Sequence, residues 1–337
     1  MIYFVAIFGL VNAECSRFGC KMEGWNFSEG VCAYYLNDSY FVNKCKGDGL
    51  ECKFLQGMNS SCVQTENTPG LPGDSCKHSI DCYGSGVCID FKCQGSQFAA
   101  PCNSNMDCEI GLYCAESKLC AYQSNIEPCI SDFSCENSSG CNNTEGLSGK
   151  CVGYFNITEY EYVAQCVNNR SQLCSYGYCV PYGEGNKCFG KAINTKPSPY
   201  LCENDCQSLP DINLDFLSVF ESCECGLNWN QVKVCNLFYQ DPEAKRYFSL
   251  WYDWVTGNHV KKCHTLARNS LKCIKEYWKH YEEFVYRYYS VNFYPYIYLT
   301  DNCVLEVILP EYWKAKIYYE QDSSAYHILF VFLYLFA

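Results

Sequence analysis

The chain has 337 residues, 30 of them cysteine, and a formal net charge of −12, with 17% aromatic and 18% charged residues. Cysteine at this density excludes an ordinary cytosolic protein, whose thiols are kept reduced, and indicates a disulfide scaffold built in an oxidising compartment. The acidic balance, without any basic stretch, excludes nucleic acid as a partner.

Residues 1–13 read MIYFVAIFGLVNA, an apolar run ending in the small residue Ala13. This is the pattern of a signal peptide cut before Glu14, and it is too short to span a bilayer. The other reading of the run is a buried N-terminal strand. Residues 14–72 hold Cys15, Cys20, Cys32, Cys45, Cys52 and Cys62 and form an N-terminal cysteine-rich module.

Residues 73–152 carry an internal repeat. Cys76, Cys82, Cys88 and Cys93 follow C-x5-C-x5-C-x4-C, and Cys102, Cys108, Cys114 and Cys120 follow C-x5-C-x5-C-x5-C. Cys129, Cys135, Cys141 and Cys151 follow C-x5-C-x5-C-x9-C. Asp81, Asp107 and Ser134 precede the second cysteine of each copy. Self-similarity at a fixed period marks tandem structural units. The text around GDSCKHSIDCYGSGVC and AAPCNSNMDCEIGLYC resembles the Dickkopf N-terminal type of cysteine-rich repeat, which also occurs in arrays in cysteine-rich surface proteins of protists. The resemblance implies small, loop-rich, disulfide-held extracellular modules. It does not extend to Wnt-pathway activity, since the receptor-binding part of Dickkopf proteins is not recognisable here. Four cysteines allow three connectivities, of which first-to-third with second-to-fourth is the expectation adopted.

Residues 153–199 hold Cys166, Cys174, Cys179 and Cys188, a degenerate fourth module, followed by a linker at Lys196 to Pro199. Every group of cysteines is even, so each module is expected to close its own bridges. Each closed loop stabilises by about 2–4 kcal/mol, which such short units need. N-x-S/T sequons stand at Asn26, Asn37, Asn59, Asn137, Asn142, Asn156 and Asn169, all before residue 170. These predict N-glycans on surface loops.

Residues 200–322 turn aromatic and helical. Pro210-Asp211 predicts a helix start with Ile212, Phe216, Val219 or Phe220 and Cys223 on one face. Asp241 followed by Pro242 predicts an N-cap and first helical position, with Ala244, Phe248, Trp251 and Val255 inward. From Asn258 to Tyr289 apolar residues recur at steps of three and four, predicting one amphipathic helix. On one helix Cys263 and Cys273 would lie about 15 Å apart and could not bond. Their predicted partners are Cys223, Cys225, Cys235 and Cys303. Residues 286–319 are rich in tyrosine, read as packing or as an aromatic ligand or membrane-proximal surface.

Residues 323–337 pair small residues at Ser323 and Ser324 with the apolar tail ILFVFLYLFA. This matches a GPI-attachment signal with a lipid anchor at Ser323, although the polar spacer is shorter than usual. The alternative is a retained apolar tail.

Catalytic and metal-binding patterns are weak. Asp211-x-Asn213-x-Asp215 lacks the glycine and glutamate of an EF-hand loop. There is no C-x2-C pair for zinc, no G-x-S-x-G, no H-E-x-x-H and no phosphate loop. The expected fold is therefore small disulfide-rich modules of loops and short β-hairpins, followed by a disulfide-braced, mainly α-helical domain. The expected function is a non-enzymatic cell-surface glycoprotein for coat formation, adhesion or recognition, at the extracellular face of the plasma membrane. It would need no cofactor or metal, would bind a protein or glycan ligand, and would meet the outer leaflet through its anchor. The alternative is a secreted Dickkopf-like signalling ligand or antagonist.

Overall fold

A computed structural model describes residues 15–319 apart from short internal stretches, the longest being 194–200 and 211–218. Cysteine topology organises it. In each of the three repeats the first cysteine bonds the third and the second bonds the fourth: Cys76–Cys88 with Cys82–Cys93, Cys102–Cys114 with Cys108–Cys120, and Cys129–Cys141 with Cys135–Cys151.

Polar side chains explain why each repeat turns where it does. A short 3-10 turn lies between the first and second cysteines, at Ser79–Asp81, Asn105–Asp107 and Asp132–Ser134. Its first residue reaches forward in every copy. Ser79 Oγ, Asn105 Oδ1 and Asp132 Oδ1 accept from the amides of Cys88, Cys114 and Cys141 at 3.1, 2.8 and 2.7 Å. Its last residue reaches back. Asp81 Oδ2 accepts from the Lys77 and His78 amides, and Asp107 Oδ2 from those of Asn103 and Ser104. These bonds satisfy amides that the tight turn would leave without partners. They also hold the Asp81 carboxyl below the usual carboxylate range. In the third copy Ser134 Oγ instead donates to the Ser131 carbonyl.

The third and fourth cysteines of each copy lie on a hairpin, directly opposite one another: Cys88 and Cys93, Cys114 and Cys120, Cys141 and Cys151. The fourth module has the same parts. A 3-10 turn at Arg170–Leu173 precedes Cys174, Cys179 faces Cys188 on a hairpin, and Cys174 bonds Cys188. Cys166 lies outside the described residues.

The same crossed unit recurs beyond the repeats. Cys32–Cys52 and Cys45–Cys62 cross, with Cys52 opposite Cys62. Cys202–Cys223 and Cys206–Cys235 cross, with Cys223 opposite Cys235. The strand Val219–Cys225 that carries Cys223 corrects the predicted helix there, whose other positions at 211–218 lie outside the described residues. A strand places Cys223 on a hairpin facing Cys235, which a helical turn would not.

The first module is a five-stranded sheet: β1 (Arg17–Cys20), β2 (Val31–Leu36), β3 (Ser39–Val42), β4 (Leu50–Lys53) and β5 (Ser60–Gln64), in the order β1-β3-β2-β5-β4. Its apolar face, with Phe18, Ala33, Tyr40 and Val42, packs on Leu227, Val304 and Val307 from far along the chain. Gly19 lies against the Trp229 indole, where a Cβ would come within 3.0 Å of the ring. Cys15 bonds Cys225, and Cys20 bonds Cys303. The expectation that each even group closes its own bridges therefore fails here, because the sheet completes its core only against the end of the helical region.

That region contains helices α1 (Pro242–Thr256), α2 (Leu271–Tyr277), α3 (Tyr281–Asn292), α4 (Tyr294–Ile297) and α5 (Asn302–Ile308), then a helix at 310–319. Asp241 and Pro242 start α1 as predicted, and its inner face is wider than expected, adding Tyr247, Leu250 and Trp254. Trp251, Trp254, Trp278 and Phe284 form its aromatic centre, with ring centroids 5.6–5.8 Å apart. Burying each such side chain contributes about 1.5–3 kcal/mol. Arg287 sits over the Tyr286 and Tyr319 rings and donates to Tyr319 Oη at 2.7 Å, which fixes helix 310–319 against α3.

The single helix predicted over Asn258 to Tyr289 is corrected. A 3-10 turn at Val260–Lys262 gives way to turns at 265–269, then α2 starts at a new cap, where Ser270 Oγ accepts from the Cys273 amide at 3.2 Å. Because the helix breaks, Cys263 and Cys273 come within 6.0 Å and bond each other. The partners predicted for them are bonded to Cys202, Cys15, Cys206 and Cys20.

Candidate functional site

Two features of the fold bear on function: a polar seam where the repeats close on the 260–276 segment, and an exposed apolar surface on the repeat hairpins.

The seam accounts for the broken helix. His264 is buried between the repeats and its own turn. Its Nδ1 accepts from the Leu266 amide at 3.2 Å, so its Nε2 carries the proton and donates to the Cys108 carbonyl at 3.1 Å. Burial pushes its pKa down. Gln123 Nε2 donates to Thr265 Oγ1 at 3.0 Å. Arg268, also buried, donates to the carbonyls of Asp132 and Glu136 and to Tyr154 Oη at 3.2, 3.3 and 2.9 Å. Lys272 pairs with Asp74 at 2.7 Å, and Lys92 pairs with Glu276. The 260–276 segment thus engages all three repeats and Tyr154 beyond them. His264 and Thr265 bond carbonyls of the second repeat, at Cys108 and Leu112, and Arg268 bonds those of the third.

Asn137 belongs to this seam. It is 5% exposed, and its Nδ2 donates to the carbonyls of Val260 and Cys263, both at 3.0 Å. Nδ2 is the atom an N-glycan would occupy. A sugar on Nδ2 would have to displace both of these bonds. Asn37, Asn59 and Asn156 are exposed, and Asn142 is half-buried with its Oδ1 accepting from the Ala164 amide. Asn37 sits with Asp38 at the tip of the β2–β3 hairpin, both at positive φ, as a two-residue primed turn requires. Asn26, Asn169 and Ser323 lie outside the described residues, as do residues 1–13 and 323–337.

Sulfur chemistry is fully committed among the described residues. Five cysteine triplets have sulfurs within 4.8 Å of one another, for example Cys76, Cys82 and Cys93, yet no described cysteine is free. A disulfide sulfur is not the thiolate that metals and nucleophilic catalysis use.

The surface feature lies outside the sequence reading. The hairpin of the first repeat turns at Asp90-Phe91, with φ of 49° and 61°. Left-handed backbone costs an L-residue about 1–2 kcal/mol, and a bulky aromatic there is a genuine outlier. Phe91 is nevertheless 76% exposed. Ile80, Val87 and Ile89 of the same copy are exposed as well. In the second copy Phe98 and Tyr122 stack at 4.7 Å between centroids and are both exposed. Exposed apolar side chains gathered in this way mark interaction sites. The only sequence signal is Asp-Phe standing where a hairpin favours Asn-Gly.

No family of known proteins, no curated protein and no solved structure matches the chain.

Proposed function

We propose that the protein is a non-enzymatic, cysteine-rich glycoprotein of the cell surface, acting in coat formation, adhesion or recognition. It enters the secretory pathway through residues 1–13 and is held at the outer leaflet by a lipid at Ser323. The observation that carries the reading is Phe91, a strained aromatic presented to solvent on a disulfide-locked hairpin. Strain retained without burial is the expected cost of a residue that serves a partner. Exposed sequons at Asn37, Asn59 and Asn156 and the commitment of described cysteines to disulfides support an extracellular setting. The partner is a protein or glycan. The second reading is a secreted Dickkopf-like ligand or antagonist, which rests on the resemblance of the repeat text alone.

The test is phospholipase C release of the protein from expressing eukaryotic cells, with mass spectrometry of the released C-terminus. A lipid remnant on Ser323 or its neighbour is the expected result. A protein recovered from the medium with an intact tail would reject the anchor and favour the secreted ligand.

A further inference from the structure

The last described helix, 310–319, has two faces. Tyr312 and Ala315 are buried, and Tyr319 is clamped by Arg287. The other face carries Lys314, Ile317 and Tyr318, all exposed, with half-buried Trp313 beside them. Lys316 Nζ lies 5.4 Å from the Trp313 ring centroid and reaches Asn302 Oδ1 at 3.5 Å. Three residues before Asn302, Leu299 is 56% exposed in left-handed backbone at φ 55°. The end of the described chain, from Leu299 to Tyr319, therefore exposes a leucine, an isoleucine and a tyrosine and carries a half-buried tryptophan and two lysines. In water an exposed apolar cluster of this kind has no stabilising role.

From these residues we infer that this end is a membrane-contacting surface, which seats the protein on the zwitterionic headgroup layer of the outer leaflet. Tryptophan and tyrosine partition to the membrane–water interface, and lysines keep their ammonium groups in the headgroups while their stems lie on apolar surface. Chain length supports the same occupant. Ser323 is four residues beyond Tyr319, a reach of at most about 14 Å, and the apolar run from Ile328 starts within about 33 Å. No other described helix lies as near to these segments in the chain. Lipid also fits the charge better here than at the repeats. Residues 14–151 hold 9 basic and 17 acidic side chains, a net of −8, whereas residues 251–337 hold 9 of each. The inference rests on the anchored reading for its geometry, but its test does not.

The full-length glycoprotein, purified from cells, is mixed with phosphatidylcholine vesicles whose acyl chains carry bromine near the headgroup, and tryptophan quenching is read. Trp251, Trp254 and Trp278 are buried, so they supply a background insensitive to lipid. Wild type is expected to be quenched, Trp313→Phe to lose most of that quenching, and Ile317→Asp with Tyr318→Asp to reduce it while leaving the thermal midpoint in place. The helix carries these residues on its outer side, so the variants fold. A Trp313→Phe protein quenched as strongly as wild type would overturn the surface, as would a lipid-bearing wild type that is not quenched. A protein that bears no lipid yet shows Trp313-dependent quenching would retain the surface and reject the anchor. A protein with neither would reject both.

Discussion

Cys20 and Cys303 stand 283 residues apart in sequence and 5.8 Å apart at Cα. Their bond ties β1 to α5, and Cys15–Cys225 ties the residues just before β1 to the strand Val219–Cys225, so the N-terminal sheet and the end of the helical region share one core. Replacing both Cys20 and Cys303 by serine is expected to destabilise this core by about 2–4 kcal/mol. The effect falls short of the value for so long a loop because Cys15–Cys225 already closes most of it. A lowered denaturant midpoint, with early proteolytic cleavage inside residues 17–64, is the expected readout, and an unchanged midpoint would mean that packing alone holds the sheet.

Asn137 supplies a second prediction. Peptide mapping of the native glycoprotein should find Asn137 unmodified and sugar at one or more of Asn37, Asn59 and Asn156. Asn137→Ala removes the donor for two buried carbonyls and should cost about 1–3 kcal/mol, seen as a lower thermal midpoint. Recovery of folded protein glycosylated at Asn137 would contradict the seam.

His264 predicts a pH dependence. In the folded protein its pKa lies below the ordinary value of 6.5, because burial disfavours the charged ring. Hydrogen bonds to the backbone of Cys108 and Asn105, and then Glu109 and Asp74, act in the opposite direction but do not reverse the shift, and Asp74 is already paired with Lys272. The unfolded chain therefore binds a proton that the native state excludes. The stabilisation from neutral His264 is fully present above pH 6.5 and is lost as pH falls through the folded value. Equilibrium unfolding at a series of pH values between 7.5 and 5, about the ordinary histidine pKa, should show this loss in wild type and a flatter profile in His264→Gln.

Phe91 separates stability from recognition. Phe91→Gly relieves left-handed strain at a position where the ring is exposed, so the folded state should be unchanged or stabilised by up to about 1–2 kcal/mol. Under the recognition reading the same variant loses adhesion of expressing cells to their ligand-bearing surface. Retained adhesion would remove Phe91 from the interface.

Much of the covalent plan is legible in the residues themselves, because spacing within a repeat leaves few alternatives and the turn chemistry of Asp81 and Asp107 is local. The crossed units at Cys32–Cys62 and Cys202–Cys235 escape notice because their spacings differ, although their hairpins place cysteines in the same register. Helix α1 is legible from Asp241 and Pro242, which act through the local backbone. The break after Val260 is not. His264 and Ala267 fall on a helical stripe, with no proline or glycine between Asn258 and Ser270 to interrupt it, and the competing bonds come from repeats more than a hundred residues away. The burial of Asn137 against Val260 and Cys263 is illegible for the same reason, since a sequon records only its own neighbours.

Among the described residues, six hairpins place two cysteines face to face while bonding them elsewhere, as where Cys88 and Cys93 oppose each other but join Cys76 and Cys82. Hairpins close in about 1–10 μs, far faster than thiols oxidise. Opposed positions on a hairpin are close enough to bond, so in the nascent chain the non-native pair is expected to meet first. The chain builds a local kinetic trap into nearly every module. Maturation is therefore expected to need disulfide shuffling, with yield following the supply of an isomerase more closely than the supply of oxidant.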